Sequence, residues 1–266
     1  AVRERNPCTK WLWDGRRSTI GWAFSIAAVG GLYAAFWPTI DDPEMQEAIE
    51  SYPESLLEAI NYTDISTAAG YLDATVYGLL VAVLSIVYAT ASGARIIAGE
   101  EDAGRLDVVL AHPVSRRRLA VQRFAALVVS VVVITLALLL VLLALSVPAD
   151  LDGIAVGDLL AMNLHVLLFA AFFGAVAFAV GAATGRRGLA VGAGAAVGVF
   201  GFAANGVLPQ VDGFEWIEGW SPFHWHNGSV PLKNGVDVGA VLLMGLLTGV
   251  LVAVGTWGFE RRDIAV

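Results

Sequence analysis

The charges in this 266-residue chain stand in clusters, and the gaps between the clusters set the fold class. Between Arg17 and Asp41 lie 23 residues without a charge, and between Asp73 and Arg95 lie 21. Arg123 to Asp150 leaves 26, Asp158 to Arg186 leaves 27, Arg187 to Asp212 leaves 24 and Asp237 to Glu260 leaves 22. A hydrocarbon core about 30 Å thick needs about 20 apolar residues of helix. Six gaps meet that length, which a soluble core helix rarely needs even once. A β-barrel would instead show segments of about ten residues alternating apolar and polar. Here the runs are continuous, as from Val128 to Leu145. Backbone groups in lipid must be satisfied within the segment, so each run is read as a helix.

The expected fold is therefore an all-α membrane protein with six transmembrane helices, a single membrane domain over residues 1–266. The spans are placed at about 19–37, 74–94, 124–147, 159–184, 188–208 and 238–257, with Pro38 and Pro148 ending the first and third. Arg16 and Arg17 precede an apolar run with no small-residue cleavage site, which reads as an uncleaved first span. Lys and Arg give the orientation. The N-terminus, the 95–123 loop, the 186–187 turn and the C-terminus hold 15 of the 16 basic residues, and the opposite side holds only Lys233. The positive-inside rule then places both termini in the cytoplasm of a multi-pass cell-membrane protein. The outer loops, 38–73 and 209–237, and the turn between spans three and four are acidic. With Asp73 and Asp237 they carry 16 of the 24 acidic residues. Such a surface field suits life in high salt, or the attraction of cationic solutes. Cys8 is the sole cysteine, so no internal disulfide forms.

Within the first outer loop, Met45, Ile49, Leu56, Leu57 and Ile60 are spaced for one or two amphipathic helices broken near Pro53. In the second, Trp216, Trp220, Phe223 and Trp225 suit a loop that dips into the membrane interface. The inner loop from 95 to 123 is the most informative stretch. A helix is expected from about Gly99 to Ala111, with Leu106, Val109, Leu110 and Pro113 on one face and Glu101, Arg105 and His112 on another. Pro113 breaks it, and Ser115 then caps a new helix running into the third span. Physics alone leaves two readings open: an in-plane helix at the membrane surface, or a docking surface for a cytoplasmic partner.

The run I-A-G-E-E-x-x-G-R-L-D-x-x-L-A-x-P-V-S-R from Ile97 to Arg116 resembles the cytoplasmic signature of ABC-2 type transporter permeases. Weaker similarities cover the rest of the chain: Arg16-Arg17 before a span containing Trp22, Phe36-Trp37-Pro38, Ser221-Pro222-Phe223, Pro231-Leu232 with Gly235, and Phe259-Glu260-Arg261-Arg262-Asp263. The chain departs from the pattern at Arg105, where Thr is commoner, and at Ala111-His112 before the proline. The resemblance implies that the loop is a coupling helix docking in a cleft of a separate ATPase subunit. Glu100, Glu101, Gly104, Leu106, Leu110, Pro113, Ser115 and Arg116 would then lie at or near that contact. It also implies a transport pathway built from two permease copies, a homodimer or a pair with a related chain.

No catalytic site is read in this chain. Gly99-x4-Gly104-Arg105-Leu106 lacks the Lys and Ser/Thr of a P-loop, and no strand precedes it. ATP and Mg²⁺ are therefore expected on the partner ATPase, since no length remains here to encode one. No nucleic-acid patch emerges, and membrane lipid is the expected surroundings. His165 is the one ionisable residue clearly inside a charge-free gap, which makes it a pathway candidate. The alternative is a neutral imidazole bonded to a neighbouring helix. His224 and His226, with Asp212, Glu215 and Glu218 upstream, are weak metal candidates, and interface-seeking His is the plainer reading. Gly188/Gly192, Gly194/Gly198 and Gly245/Gly249 permit close helix packing, within one subunit or across a dimer. A non-transport scaffold or sensor recruiting partners through the outer loops is the alternative function.

Overall fold

A computed structural model describes residues 7–51, 67–104 and 115–262. Every regular element among them is helical. In chain order these are α1 (Pro7–Ile40), α2 (Pro43–Glu50), α3 (Ala68–Arg95), α4 (Ala98–Asp102), α5 (Arg116–Leu145), α6 (Val156–Thr184), α7 (Arg187–Gly206), α8 (Pro222–Asn227), α9 (Pro231–Asn234) and α10 (Val238–Arg261). Short 3₁₀ turns at Leu208–Gln210 and Glu215–Trp220 join α7 to α8. Among the described residues six helices, α1, α3, α5, α6, α7 and α10, are long and apolar enough to cross a membrane. This is a multi-pass membrane protein of all-α class.

Helix α6 is the hub, packed by α3, α10, α7 and α5, while α1 lies along α5. Its sequence explains the position. Every residue from Phe169 to Ala179 is buried, on all sides of the helix. In lipid the apolar surroundings give helices no hydrophobic reason to associate, so close van der Waals contact over small residues takes that role. A Cβ on Gly93 would overlap the Gly174 carbonyl oxygen, so α3 and α6 touch backbone to backbone. A Cβ on Gly255 of α10 would lie 2.7 Å from the Ala179 Cα. One on Gly194 of α7 would lie 2.5 Å from Thr90 Cγ2 on α3. The Gly194/Gly198 pair is thus a seam inside the subunit. Gly188, Gly192, Gly245 and Gly249 have no such neighbour within 4 Å. By contrast with α6, α10 buries only Met244, Gly255, Thr256 and Phe259. Its Leu242 and Leu246 are about two-thirds exposed, the face a lipid-solvated helix presents.

Several boundaries differ from the sequence expectation. Helix α1 runs through Pro38 to Ile40, because a proline in the last turn removes a single N–H there. Helix α5 ends at Leu145, short of Pro148. Helix α3 begins at Ala68, with the Thr67 hydroxyl accepting from the Gly70 N–H at 3.1 Å, so Asp73 lies inside the helix and is 7% exposed. Helix α4, Ala98–Asp102, covers the start of the segment expected to be helical from Gly99 to Ala111, and residues 105–111 lie outside the described residues. Gly104 follows with φ +62°, a left-handed conformation that stops a right-handed helix. Leu106, Leu110 and Pro113 lie outside the described residues, as do Leu56, Leu57 and Ile60 of the outer loop. Of that loop, α2 carries Met45, which is exposed.

One irregularity has no counterpart in the sequence reading. Residues Asp73–Val81 of α3 wind as a π-helix, a form that is rare and concentrates at functional sites.

Candidate functional site

The basic ends of α3, α5 and α10 are tied together by charge. Arg123 is 6% exposed; its Nη1 donates to the Ile96 carbonyl at 2.8 Å and its Nη2 lies 3.5 Å from Glu100 Oε2. Arg262 pairs with Glu101. Arg116 donates to the carbonyls of Phe259 (3.3 Å) and Arg262 (2.7 Å), and its guanidinium lies over the Phe259 ring. Ser115 caps α5, its hydroxyl accepting from the Arg118 N–H at 3.3 Å. Of the residues the sequence singles out here, Glu100, Glu101 and Arg116 therefore spend their charge on neighbours within the chain. A Cβ added at Gly104 would meet no described atom within 4 Å.

At the acidic end, the loop after α7 enters the bundle. Ser221 caps α8, and Pro222 takes its first position, where a missing N–H costs nothing. The Ser221 hydroxyl also donates to the Gly201 carbonyl at 2.7 Å, pinning the loop to α7. Phe223 then packs edge-on against Phe169 and Phe202, and Trp225 against Phe172. His226, fully buried, stacks on Phe169 with ring centroids 4.6 Å apart. Trp216 and Trp220 stay outside, about two-thirds exposed.

Two imidazoles lock this insertion. His165 of α6 directs Nδ1 at the carbonyls of Trp225 (3.2 Å) and His226 (3.1 Å), and its Nε2 faces the Asp237 N–H at 3.3 Å. Two carbonyls require Nδ1 to carry the proton, and the N–H requires Nε2 to accept. The ring is thus a neutral clasp between α6, α8 and the cap of α10. His226 donates from Nε2 to the Tyr77 carbonyl at 3.2 Å, inside the π-helix. Burial holds the His226 imidazole down at about 4, so it is neutral at physiological pH. His224, two residues away, points the opposite way to Glu218 at 3.0 Å. The candidate metal pair is therefore not brought together, and no cluster of three or more His, Cys, Asp or Glu side chains that could hold an ion occurs among the described residues.

Next to the clasp is a cavity of about 280 Å³, lined by Asp73 and Gly78 of α3, Asn205, Asn227, Lys233 and others. Asp73 Oδ2 accepts from Asn227 Nδ2 at 2.9 Å, while Oδ1 is buried without a hydrogen-bond partner. Val230 on the same wall holds φ +50°, an unusual left-handed conformation for a β-branched residue.

Residues 9–260 match the family described as multidrug efflux system permease Rv1217c, C-terminal domain. The chain belongs to this permease family. No curated protein was found to match it. The six apolar helices fit a membrane transporter subunit. In this permease, Asp73, Asn227 and Tyr77 are the polar residues that sequence reasoning missed. In sequence, Asp73 reads as the flank of a span. The usable signal was Ser221-Pro222, an N-cap followed by a first-turn proline, which announces a helix inside the outer loop.

Proposed function

We propose that the chain is the membrane subunit of an ABC-2 type exporter, pairing as a homodimer and driven by a separate P-loop ATPase that holds ATP and Mg²⁺. The observation that carries this reading is the family match from residue 9 to residue 260, the name of whose family describes multidrug efflux. The signature from Ile97 to Arg116 supplies the coupling segment on a six-span chain. The packing at the basic end supports it mechanically. Glu101–Arg262 and the Arg116 contacts link the segment after α3, the start of α5 and the end of α10. A push on the 95–123 loop is then delivered to several spans at once. Both termini lie in the cytoplasm, where the basic ends face the ATPase. Nearly uncharged spans favour hydrophobic cargo, and the acidic outer surface suits a high-salt habitat.

The test is co-purification with an ATPase and transport-linked ATP hydrolysis in vesicles. Leu106→Asp combined with Leu110→Asp is expected to reduce both by at least about tenfold, since each charge would have to be desolvated in an apolar cleft. Retention of both activities in that variant would refute docking through this loop. Failure of any ATPase to co-purify would favour a scaffold.

A further inference from the structure

We infer that the cavity at the acidic end is a binding site for an organic ammonium group. Its wall joins parts of the chain that are remote in sequence: Asp73 and Gly78 on the π-helical stretch of α3, Asn227 at the end of α8, and Lys233 on α9. Gly78 lines the cavity with backbone alone. At about 280 Å³ the cavity sits at the lower edge of small-molecule sites, roughly 300–1,000 Å³. It therefore suits a small amine.

The chemistry of the wall selects the ligand. Asp73 is 7% exposed, and one of its carboxylate oxygens, Oδ1, has no hydrogen-bond partner. Asn227 Oδ1 is a second buried acceptor without a partner on the same wall. Asn227 spends its amide N–H on Asp73, which leaves its carbonyl oxygen as the group to be satisfied. Buried acceptors left unpaired are costly, and two together call for a ligand that brings N–H donors. Among the described residues the formal charges on the wall are Asp73, Glu218 and Lys233, and Asp73 is the one whose carboxylate is buried with an oxygen unpaired, which favours a ligand carrying positive charge. An ammonium supplies both the charge and the donors. The strain at Val230 and the π-winding of α3 shape the same wall.

Binding at this site needs no ATPase and does not depend on the transport reading. Only its interpretation as the release end of an export pathway does. The probe is benzylammonium chloride, titrated calorimetrically into the full chain in nanodiscs. Benzyl alcohol, of the same shape without charge, and tetramethylammonium, a cation without N–H groups, should each bind at least about tenfold more weakly, the usual loss when a charge-assisted hydrogen bond is removed. Asp73→Asn should weaken benzylammonium binding by at least about tenfold. Lys233→Met removes a like charge and should tighten it several-fold. Should Asp73→Asn fail to fold, judged by its elution profile and thermal midpoint, the Lys233→Met result decides alone. Equal affinity for benzylammonium and benzyl alcohol, or an unchanged affinity in a folded variant, would overturn the assignment. Retention of ATPase coupling in the Leu106/Leu110 variant would instead refute only docking through the 95–123 loop and leave the amine site standing.

Discussion

His165 and His226 are both buried, yet their partners make them do different work. His165 satisfies two carbonyls and one N–H from two other segments, so it replaces three hydrogen bonds that water cannot supply there. His226 offers a single N–H to the Tyr77 carbonyl and keeps Nδ1 unpartnered against apolar rings. Its folded-state value of about 4 is below the ordinary 6.5. The unfolded chain therefore binds the proton first as pH falls. Stability is fully present above about 6.5, declines between 6.5 and 4, and the full loss is on the order of 3 kcal/mol. Thermal midpoints in detergent are expected to drop between pH 7.5 and pH 5. His226→Gln, which keeps an N–H for Tyr77 but does not titrate, should flatten that drop. An equal drop in both proteins would show that another group carries it.

Helix contacts in this protein depend on where a glycine sits rather than on how many a helix contains. Gly93 lies where α3 meets the Gly174 backbone of α6, and neither backbone can yield without separating the helices. Gly245 on α10 faces open space. Gly93→Val is expected to destabilise the bundle by about 1–3 kcal/mol or more and to lower the yield of monodisperse protein. Gly245→Val should leave both nearly unchanged if its face meets lipid. Thermal midpoints of the two variants in the same detergent make the comparison. A matching large loss in Gly245→Val would mean that this face is covered, by another copy or a partner chain.

For the whole molecule, the segregation of charge predicts the direction of insertion. With Cys8 replaced by Ser, a cysteine at exposed Asp152 marks the acidic end and one at exposed Arg187 the basic end. A membrane-impermeant maleimide added to intact cells should label the cysteine at 152 and spare the one at 187. The opposite pattern would reverse the orientation and move the amine cavity to the cytoplasmic face.

The sequence alone determined the six spans, because six mostly apolar runs of 21 or more uncharged residues match the length of a membrane-crossing helix and exceed what a soluble core usually needs. It determined the Ser115 cap as well, since capping is decided within one turn. It also supplied His165 as a residue to question, though not its answer. The tertiary structure decided what depends on partners distant in the chain. Asp73 reads as a span boundary until Asn227, 154 residues away, is found bonded to it. His165 reads as a lone ionisable group until the Trp225 and His226 carbonyls and the Asp237 N–H are brought to its two nitrogens. The π-winding of α3 is likewise invisible locally, because its Tyr77 carbonyl is satisfied by His226 from another element. A buried polar group is tolerated only with its partner, and for these residues the partner comes from folding rather than from neighbours in sequence.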